Sequence, residues 1–383
     1  MKILYFIPSL AHAGGMERVL TQKVNYLAKS GRHNIYIITT DMLDGEEPFF
    51  QLDKGVEVYK FKLFFNMIYN NNFISKTINT YKKLIEYRKL LDLFLSKNKV
   101  DVLISMGGKE LEFLYKVQYP AKKIYEAHFS NGIRTRNLLA NKGNSFFWQY
   151  IAKLRELQIV KQTKKLDVLV VLTEKSKDEW LKTNENVLVI PNPSSIKTFP
   201  NQYDVDSRRV ISLGRLEYEK GFDLLIKAWS RVITLYPMWK LDIYGSGSLE
   251  ESLNGLINEL NLKKTVQLCG VTQQVSYELM KSSFYVLPSR YEGLPLVMLE
   301  CLACGLPMVA FDCETGPSDI IENNDCGLLV SNGDIEELSL KIIDMIEMAE
   351  KRLVLSKACT LKSEKYAVDN IMSRWEDLFE SMV

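Results

Sequence analysis

No run of eighteen or more apolar residues occurs in the 383-residue chain, so nothing in it reads as a membrane-spanning helix. There is no internal repeat and no low-complexity tract, which leaves an ordinary globular composition to explain. The first half has no cysteine. Cys269, Cys301, Cys304, Cys313, Cys326 and Cys359 all lie in the second half, most of them inside apolar runs. Cys301 and Cys304 form one C-x-x-C, but no second pair at zinc spacing accompanies it. The thiols are therefore expected to be buried small hydrophobes in a reducing cytoplasm, with no metal or redox role. No G-x-G-x-x-G turn is present, which removes the main support for dinucleotide binding. No Tyr-x-x-x-Lys relay is suitably placed after a Rossmann-like half. No D-x-D metal motif stands at a strand end, and the one match, Asp204-Val205-Asp206, falls in a linker.

What is present suits a protein of two domains of fewer than 200 residues each, at 46% hydrophobic and 25% charged residues. Ile3 to Leu10, followed by Ala11-His12-Ala13, imitates a signal peptide and its cleavage site. Pro8 interrupts that short run, and the run leads straight into a Gly-Gly loop, so it is expected to be a first strand. The net charge of +2 hides an asymmetry. Residues 60–165 hold 21 Lys/Arg against 7 Asp/Glu, a surplus of +14, whereas residues 166–383 hold 22 against 33, or −11. A lysine-rich solvated helix surface accounts for the basic stretch. So does attraction to an anionic membrane or to a phosphate-bearing acceptor.

Two rounds of strand–helix alternation are visible. Strands are predicted at Lys2–Pro8, Asn34–Thr40, Val56–Phe61, Asp101–Met106, Lys123–Phe129, Asp167–Thr173 and Val187–Ile190, with amphipathic helices over Glu17–Lys29, Lys76–Lys97 and Phe146–Lys164. Pro191-Asn192-Pro193-Ser194-Ser195 and the polar stretch to Arg208 read as a linker. A second series follows at Arg209–Leu213, Lys240–Tyr244, Thr265–Leu268, Phe284–Leu287, Pro307–Phe311 and Gly327–Val330. The expectation is two doubly wound α/β domains with mostly parallel sheets. In Val368–Met382, Ile371, Trp375, Leu378 and Phe379 recur at helical spacing, so one face of that helix should be buried.

Four segments carry candidate chemistry. Ala13-Gly14-Gly15-Met16-Glu17-Arg18 turns from strand into helix and could offer free N–H groups to an anion, although a plain tight turn explains it as well. Gly214-Arg215-Leu216-Glu217-Tyr218-Glu219-Lys220-Gly221 places two cations after a strand, where a diphosphate could meet a guanidinium fork and an ammonium. An exposed cationic loop is the plainer account. Tyr244-Gly245-Ser246-Gly247-Ser248 leaves a strand with residues small enough for a flat ring or a phosphate to pack closely, or simply for a turn. Arg290-Tyr291-Glu292-Gly293-Leu294-Pro295 runs into the apolar helix LVMLECLACG, with proline near its first turn and Glu300 eight residues beyond Glu292. A carboxylate on so apolar a helix needs a partner, whether a ribose diol or a cation of the core.

In this order, the G-G-x-E-R turn, the G-R-L-x-x-x-K-G segment and the E-x7-E spacing resemble the family 4 retaining glycosyltransferases of GT-B fold, over essentially the whole chain. The E-x7-E spacing is the most specific of the three. The resemblance implies two Rossmann-like domains with a cleft between them. Residues 1–193 would form an acceptor-binding domain, 194–365 a nucleotide-sugar-binding domain, and 366–383 a helix crossing back onto the first. It implies that Glu300 binds ribose hydroxyls and that Glu292, with the backbone of Gly293, Leu294 and Pro295, holds the donor sugar and phosphate. Arg215 and Lys220 would neutralise the departing diphosphate. Gly14 and Gly15, with Gly214, Gly245 and Gly247, would line the donor. His128, in Tyr125-Glu126-Ala127-His128-Phe129-Ser130, fits a histidine the family keeps near the anomeric centre, although many relatives have His-Asp where this chain has His-Phe.

Thr315-Gly316-Pro317-Ser318-Asp319 looks like a variant common in enzymes of bacterial surface polysaccharides and glycan-lipids such as capsule and lipopolysaccharide. The implied reaction moves a hexose or N-acetylhexosamine from a UDP-linked donor to a glycan or polyprenyl-linked acceptor, with no metal, no other cofactor and no nucleic acid. The expected location is the cytoplasm, peripheral on the inner face of the membrane, with Phe61–Ile74 and the basic region of residues 60–165 as the contact. A non-catalytic sugar-nucleotide-binding relative and a sugar-nucleotide-modifying Rossmann enzyme are the alternatives.

Overall fold

The computed structural model describes residues 1–70, 73–128, 132, 145–199 and 203–382, the side chains of 68–70 and 73–74 excepted. Parts of Phe61–Ile74, Phe129 with Ser130, much of the basic segment around Arg134, Arg136 and Lys142, and the middle of the predicted linker lie outside the described residues. Two compact units emerge, Met1–Pro191 together with Ile371–Val383, and Asn192–Asn370.

The first unit is built on a seven-stranded sheet, ordered β3-β2-β1-β4-β5-β6-β7. The strands are β1 (Lys2–Ile7), β2 (Asn34–Thr39), β3 (Val56–Lys60), β4 (Val102–Ser105), β5 (Lys122–Ala127), β6 (Val168–Val171) and β7 (Val187–Val189), and every pairing is parallel. Side chains alternate across a strand, so β1 feeds two cores. Leu4 and Phe6 join Tyr87 and Leu91 of helix α2 (Phe73–Asn98) on one face. Ile3, Tyr5 and Ile7 join Leu20, Val24 and Leu27 of helix α1 (Gly15–Lys29) on the other. Helices α3 (Phe146–Thr163) and α4 (Glu174–Leu181) complete this part of the chain.

The second unit has six parallel strands ordered β10-β9-β8-β11-β12-β13. These are β8 (Arg209–Leu213), β9 (Lys240–Tyr244), β10 (Val266–Gly270), β11 (Phe284–Leu287), β12 (Met308–Asp312) and β13 (Gly327–Ser331). Between and after them run α5 (Phe222–Leu235), α6 (Glu250–Glu259), α7 (Val275–Met280), α8 (Leu296–Ala303), α9 (Pro317–Ile320), α10 (Ile335–Glu347) and α11 (Ala349–Ser363). Trp229 of α5 and Ile342 of α10 pack with Val210, Ile243 and Val286 in one buried cluster.

The last helix, α12 (Val368–Met382), takes the predicted bounds and buries Ile371, Met372, Trp375, Leu378 and Phe379 in the Ile3/Tyr5/Ile7 core of the first unit.

Pro191–Ser195 does not form the loose connection its prolines suggest. Asn192 and Ser194 are buried, the Ser194 N–H donates to the Tyr366 carbonyl at 2.8 Å, and Phe199 N–H donates to Ala303 O at 2.7 Å. The division between the units falls after Pro191 rather than after Pro193, and the returning segment is counted from Ile371 rather than from 366.

Candidate functional site

In the second unit the strand order reverses between β8 and β11, and α/β sheets take ligands at the carboxyl ends of strands at such a switch. Both motif loops leave the sheet there. The loop after β8 passes through a 3-10 turn, Tyr218–Lys220, into Gly221, whose φ of +65° is left-handed. A Cβ on Gly221 would stand 2.0 Å from the Pro288 carbonyl oxygen of the loop after β11, so only glycine lets the two loops touch.

Arg290 fastens the same two loops. Its backbone N–H donates to Glu219 O at 2.8 Å and its Nη1 to Tyr218 O at 2.6 Å. Its guanidinium forks onto Asp223 at 2.9 and 2.8 Å, with its carbon 4.1 Å from the Tyr218 ring centroid. Burial works against the Arg290 charge, but the Asp223 carboxylate outweighs it and holds the group above its ordinary range.

These contacts bring Lys220 Nζ to 2.6 Å from Glu292 Oε1, which also accepts from Ser289 Oγ at 2.7 Å. From the loop after β12, the fully buried Thr315 donates its hydroxyl to the Glu292 backbone carbonyl at 2.8 Å. The α8 helix begins at Leu296, with Pro295 as its N-cap, and Leu294 and Pro295 are buried at its entrance while Gly293 is half-buried. On this helix Glu300 is only 3% exposed and accepts the Ser195 hydroxyl.

The structure separates some residues that the motifs grouped. Arg215 is 74% exposed and pairs with Glu219 at 2.6 Å, while its neighbour in the motif, Lys220, turns to Glu292. Gly245 has a φ of +148°, and its Cβ would lie 1.8 Å from Gly214 O, so its smallness serves contact with the β8 loop. Gly247 backs onto Leu216 in the same way. Both contacts fit the reading of Gly245-Ser246-Gly247 as a close turn.

In the first unit the switch lies between β1 and β4, and Gly14 and Gly15 follow β1 there. Gly14 is the N-cap of α1, and the Glu17 carboxylate folds back against it, within 2.0 Å of where a Gly14 Cβ would sit. The chain's own anion thus faces the helix N-terminus that the sequence offered to a ligand. His128 follows β5, is 7% exposed, and has Nε2 3.3 Å from Glu126 Oε1 without hydrogen-bond alignment. Cys301 and Cys304 are buried, which raises the Cys301 thiol well above its usual range and Cys304 to about 12.

Sequence reasoning missed Asp223, Ser289, Thr315 and Ser195 as supports. Asp223 is 67 residues from Arg290 and Ser195 is 105 from Glu300, so no local spacing could have paired them. Thr315 lay in a segment already singled out.

The model for "Glycosyl transferases group 1" matches residues 195–361. An uncharacterized glycosyltransferase of Haemophilus influenzae is 33% identical, covering 98% of this chain and 99% of that protein. A GalNAc-alpha-(1->4)-GalNAc-alpha-(1->3)-diNAcBac-PP-undecaprenol alpha-1,4-N-acetyl-D-galactosaminyltransferase of Campylobacter jejuni is 25% identical over 98% of this chain and 97% of its own. Among solved structures, a mutant of S. aureus TarM in complex with Fondaparinux, alpha-GlcNAc-glycerol and UDP aligns with a TM-score of 0.77 at 18% identity, over 99% of each chain.

Proposed function

The chain belongs to the group 1 glycosyl transferases, enzymes of GT-B fold, and from that premise we propose that it is a retaining transferase moving a hexose or N-acetylhexosamine from a UDP-sugar to a glycan or polyprenyl-linked acceptor in bacterial surface-polysaccharide synthesis. The observation that carries this reading is the Lys220–Glu292 pair, held at 2.6 Å on two loops that Gly221 and Arg290 lock together at the switch point. UDP in the TarM complex and the undecaprenol-linked acceptor in the Campylobacter name support the choice of donor and acceptor class.

In the proposed reaction the donor diphosphate lies at the carboxyl ends of β8 and β11. Its negative charge rises as the glycosidic bond breaks. Lys220 exchanges Glu292 for the diphosphate, Arg215 exchanges Glu219, and both stabilise the leaving group. Glu292, released from Lys220, accepts from donor-sugar hydroxyls, and Glu300 accepts from the ribose in place of Ser195. The acceptor hydroxyl attacks from the face the diphosphate leaves, its oxygen bonding to the anomeric carbon as the sugar–phosphate bond breaks and its proton passing to the departing phosphate oxygen, so configuration is retained and orientation supplies much of the rate. Lysine and arginine do here what a divalent cation does in other transferases. Excess EDTA is therefore expected to leave turnover unchanged, and the anomeric coupling constant of the product to match that of the donor. A strict divalent-metal requirement, or an inverted product, contradicts the proposal.

The same proposal places the enzyme in the cytoplasm against the inner leaflet. Among the described residues no helix is long and apolar enough to cross a membrane. On α3, Phe146, Phe147, Tyr150, Leu154 and Leu157 are exposed beside exposed Lys153 and Arg155. On α2, Ile78, Tyr81 and Ile85 are exposed beside Lys82, Arg88 and Lys89. Apolar side chains amid cations suit an anionic lipid surface. The protein is expected to float with vesicles containing phosphatidylglycerol at low salt and to dissociate as salt rises. Absence of binding at low salt removes this part.

A further inference from the structure

The strongest unassigned cluster lies in the first unit, beneath the carboxyl end of β5. Lys23, on α1, is 1% exposed, and its Nζ lies 2.6 Å from Glu126 Oε2 and 3.7 Å from the Trp375 ring centroid of α12. The other Glu126 oxygen, Oε1, faces His128 Nε2 at 3.3 Å. Burial opposes the Glu126 charge, but Lys23 and His128 outweigh it and hold the carboxyl down at about 2.

Stability alone is a poor reason for such a pair. A buried ion pair is often no more stabilising than apolar side chains of the same volume, because both charges lose their hydration. The apolar side chains of this core include Ile3, Tyr5, Val24, Ile124 and Trp375. What an apolar substitute could not do is present an oxygen to His128.

We propose that Glu126 is a positioning residue of the transfer reaction, anchored by Lys23 on one oxygen and orienting the His128 imidazole with the other. This rests on the expectation, drawn from the family resemblance, that His128 stands near the anomeric centre. An ionised carboxylate only accepts, so although the 3.3 Å approach lacks hydrogen-bond alignment in this structure, it favours the hydrogen on the ring nitrogen that faces it, Nε2. The lone pair of Nδ1 is then presented on the opposite side of the ring. Trp375, over the Lys23 ammonium, ties the returning helix α12 into the same arrangement.

The chain has three histidines, so nitrogen-15 labelling of histidine gives few signals, and His128→Ala identifies the one that matters. The expected result is an Nε2–H tautomer for His128 in the whole protein, lost or mixed in Glu126→Gln. In hydrolysis of the UDP-sugar that the wild type consumes, Glu126→Gln should lower kcat by about 10–100-fold with donor KM unchanged, the size of effect seen when groups that orient functional histidines are removed. The Lys23→Met/Glu126→Gln double variant removes both charges at similar volume. It should recover melting temperature but not kcat, whereas a purely structural pair recovers both. An Nδ1–H tautomer, or one indifferent to Glu126→Gln, overturns the inference and leaves the proposed function standing. The expected tautomer together with normal turnover in His128→Ala overturns the role of His128 itself.

Discussion

Replacing Lys220 by alanine is expected to lower kcat by about 10²–10³-fold, the usual loss when one donor to a developing anion is removed. Lys220 is the cation that the fold goes furthest to place. It ends a 3-10 turn, its loop touches the β11 loop through Gly221, and Arg290 closes the same two loops. A cation that meets charge mainly in the transition state lowers kcat when lost and changes donor KM little. Lys220→Arg is expected to recover only part of the rate, because a planar fork does not fit where one ammonium meets a single oxygen of Glu292 at 2.6 Å. Initial rates over a range of donor concentrations separate the two constants. Loss confined to KM contradicts this role, and so does a fall in kcat of less than about tenfold. By contrast, Arg215 is 74% exposed and held only by an i,i+4 partner. Its loss is expected to cost less.

Trp375→Ala is expected to destabilise the first unit by about 3–5 kcal/mol, the range for truncating a large buried aromatic. Trp375 is 1% exposed in the core that holds Ile3, Tyr5 and Ile7. Its ring also stacks edge-tilted on Phe379, with centroids 5.7 Å apart, and covers the Lys23 ammonium. Alanine would leave a cavity and a buried ammonium with one stabilising partner fewer. Urea unfolding followed by far-ultraviolet circular dichroism should show the midpoint falling with the slope unchanged. A loss below about 1 kcal/mol would mean that α12 is held by other contacts.

The strands were legible because both sheets are parallel and covered on both faces, so each strand is a short, nearly continuous apolar or β-branched run. Strand β8 takes the predicted bounds, Arg209–Leu213. Errors fell at strand ends, where another local rule takes over. Thr173, expected to finish a strand, instead caps α4 by accepting a hydrogen bond from the Ser176 N–H. Glu292 and Glu300 were legible from spacing and from the apolar helix between them. The geometry that relates Lys220 to Glu292 was not, because it depends on a backbone approach at Pro288 and on an arginine whose carboxylate partner is 67 residues away. The direction of Arg215 was equally hidden, since an exposed side chain on a loop follows the nearest carboxylate, here Glu219.

The central claim is that the loops after β8 and β11 bind and activate a nucleotide-sugar donor. Its most direct test is consumption of a panel of UDP- and GDP-sugars by the wild type and by Glu292→Ala. The account predicts that one UDP-sugar is hydrolysed or transferred by the wild type, and that Glu292→Ala, folded to the same melting temperature, leaves it intact. A wild type that neither consumes nor binds any member of the panel, or a Glu292→Ala variant as active as the wild type, contradicts it.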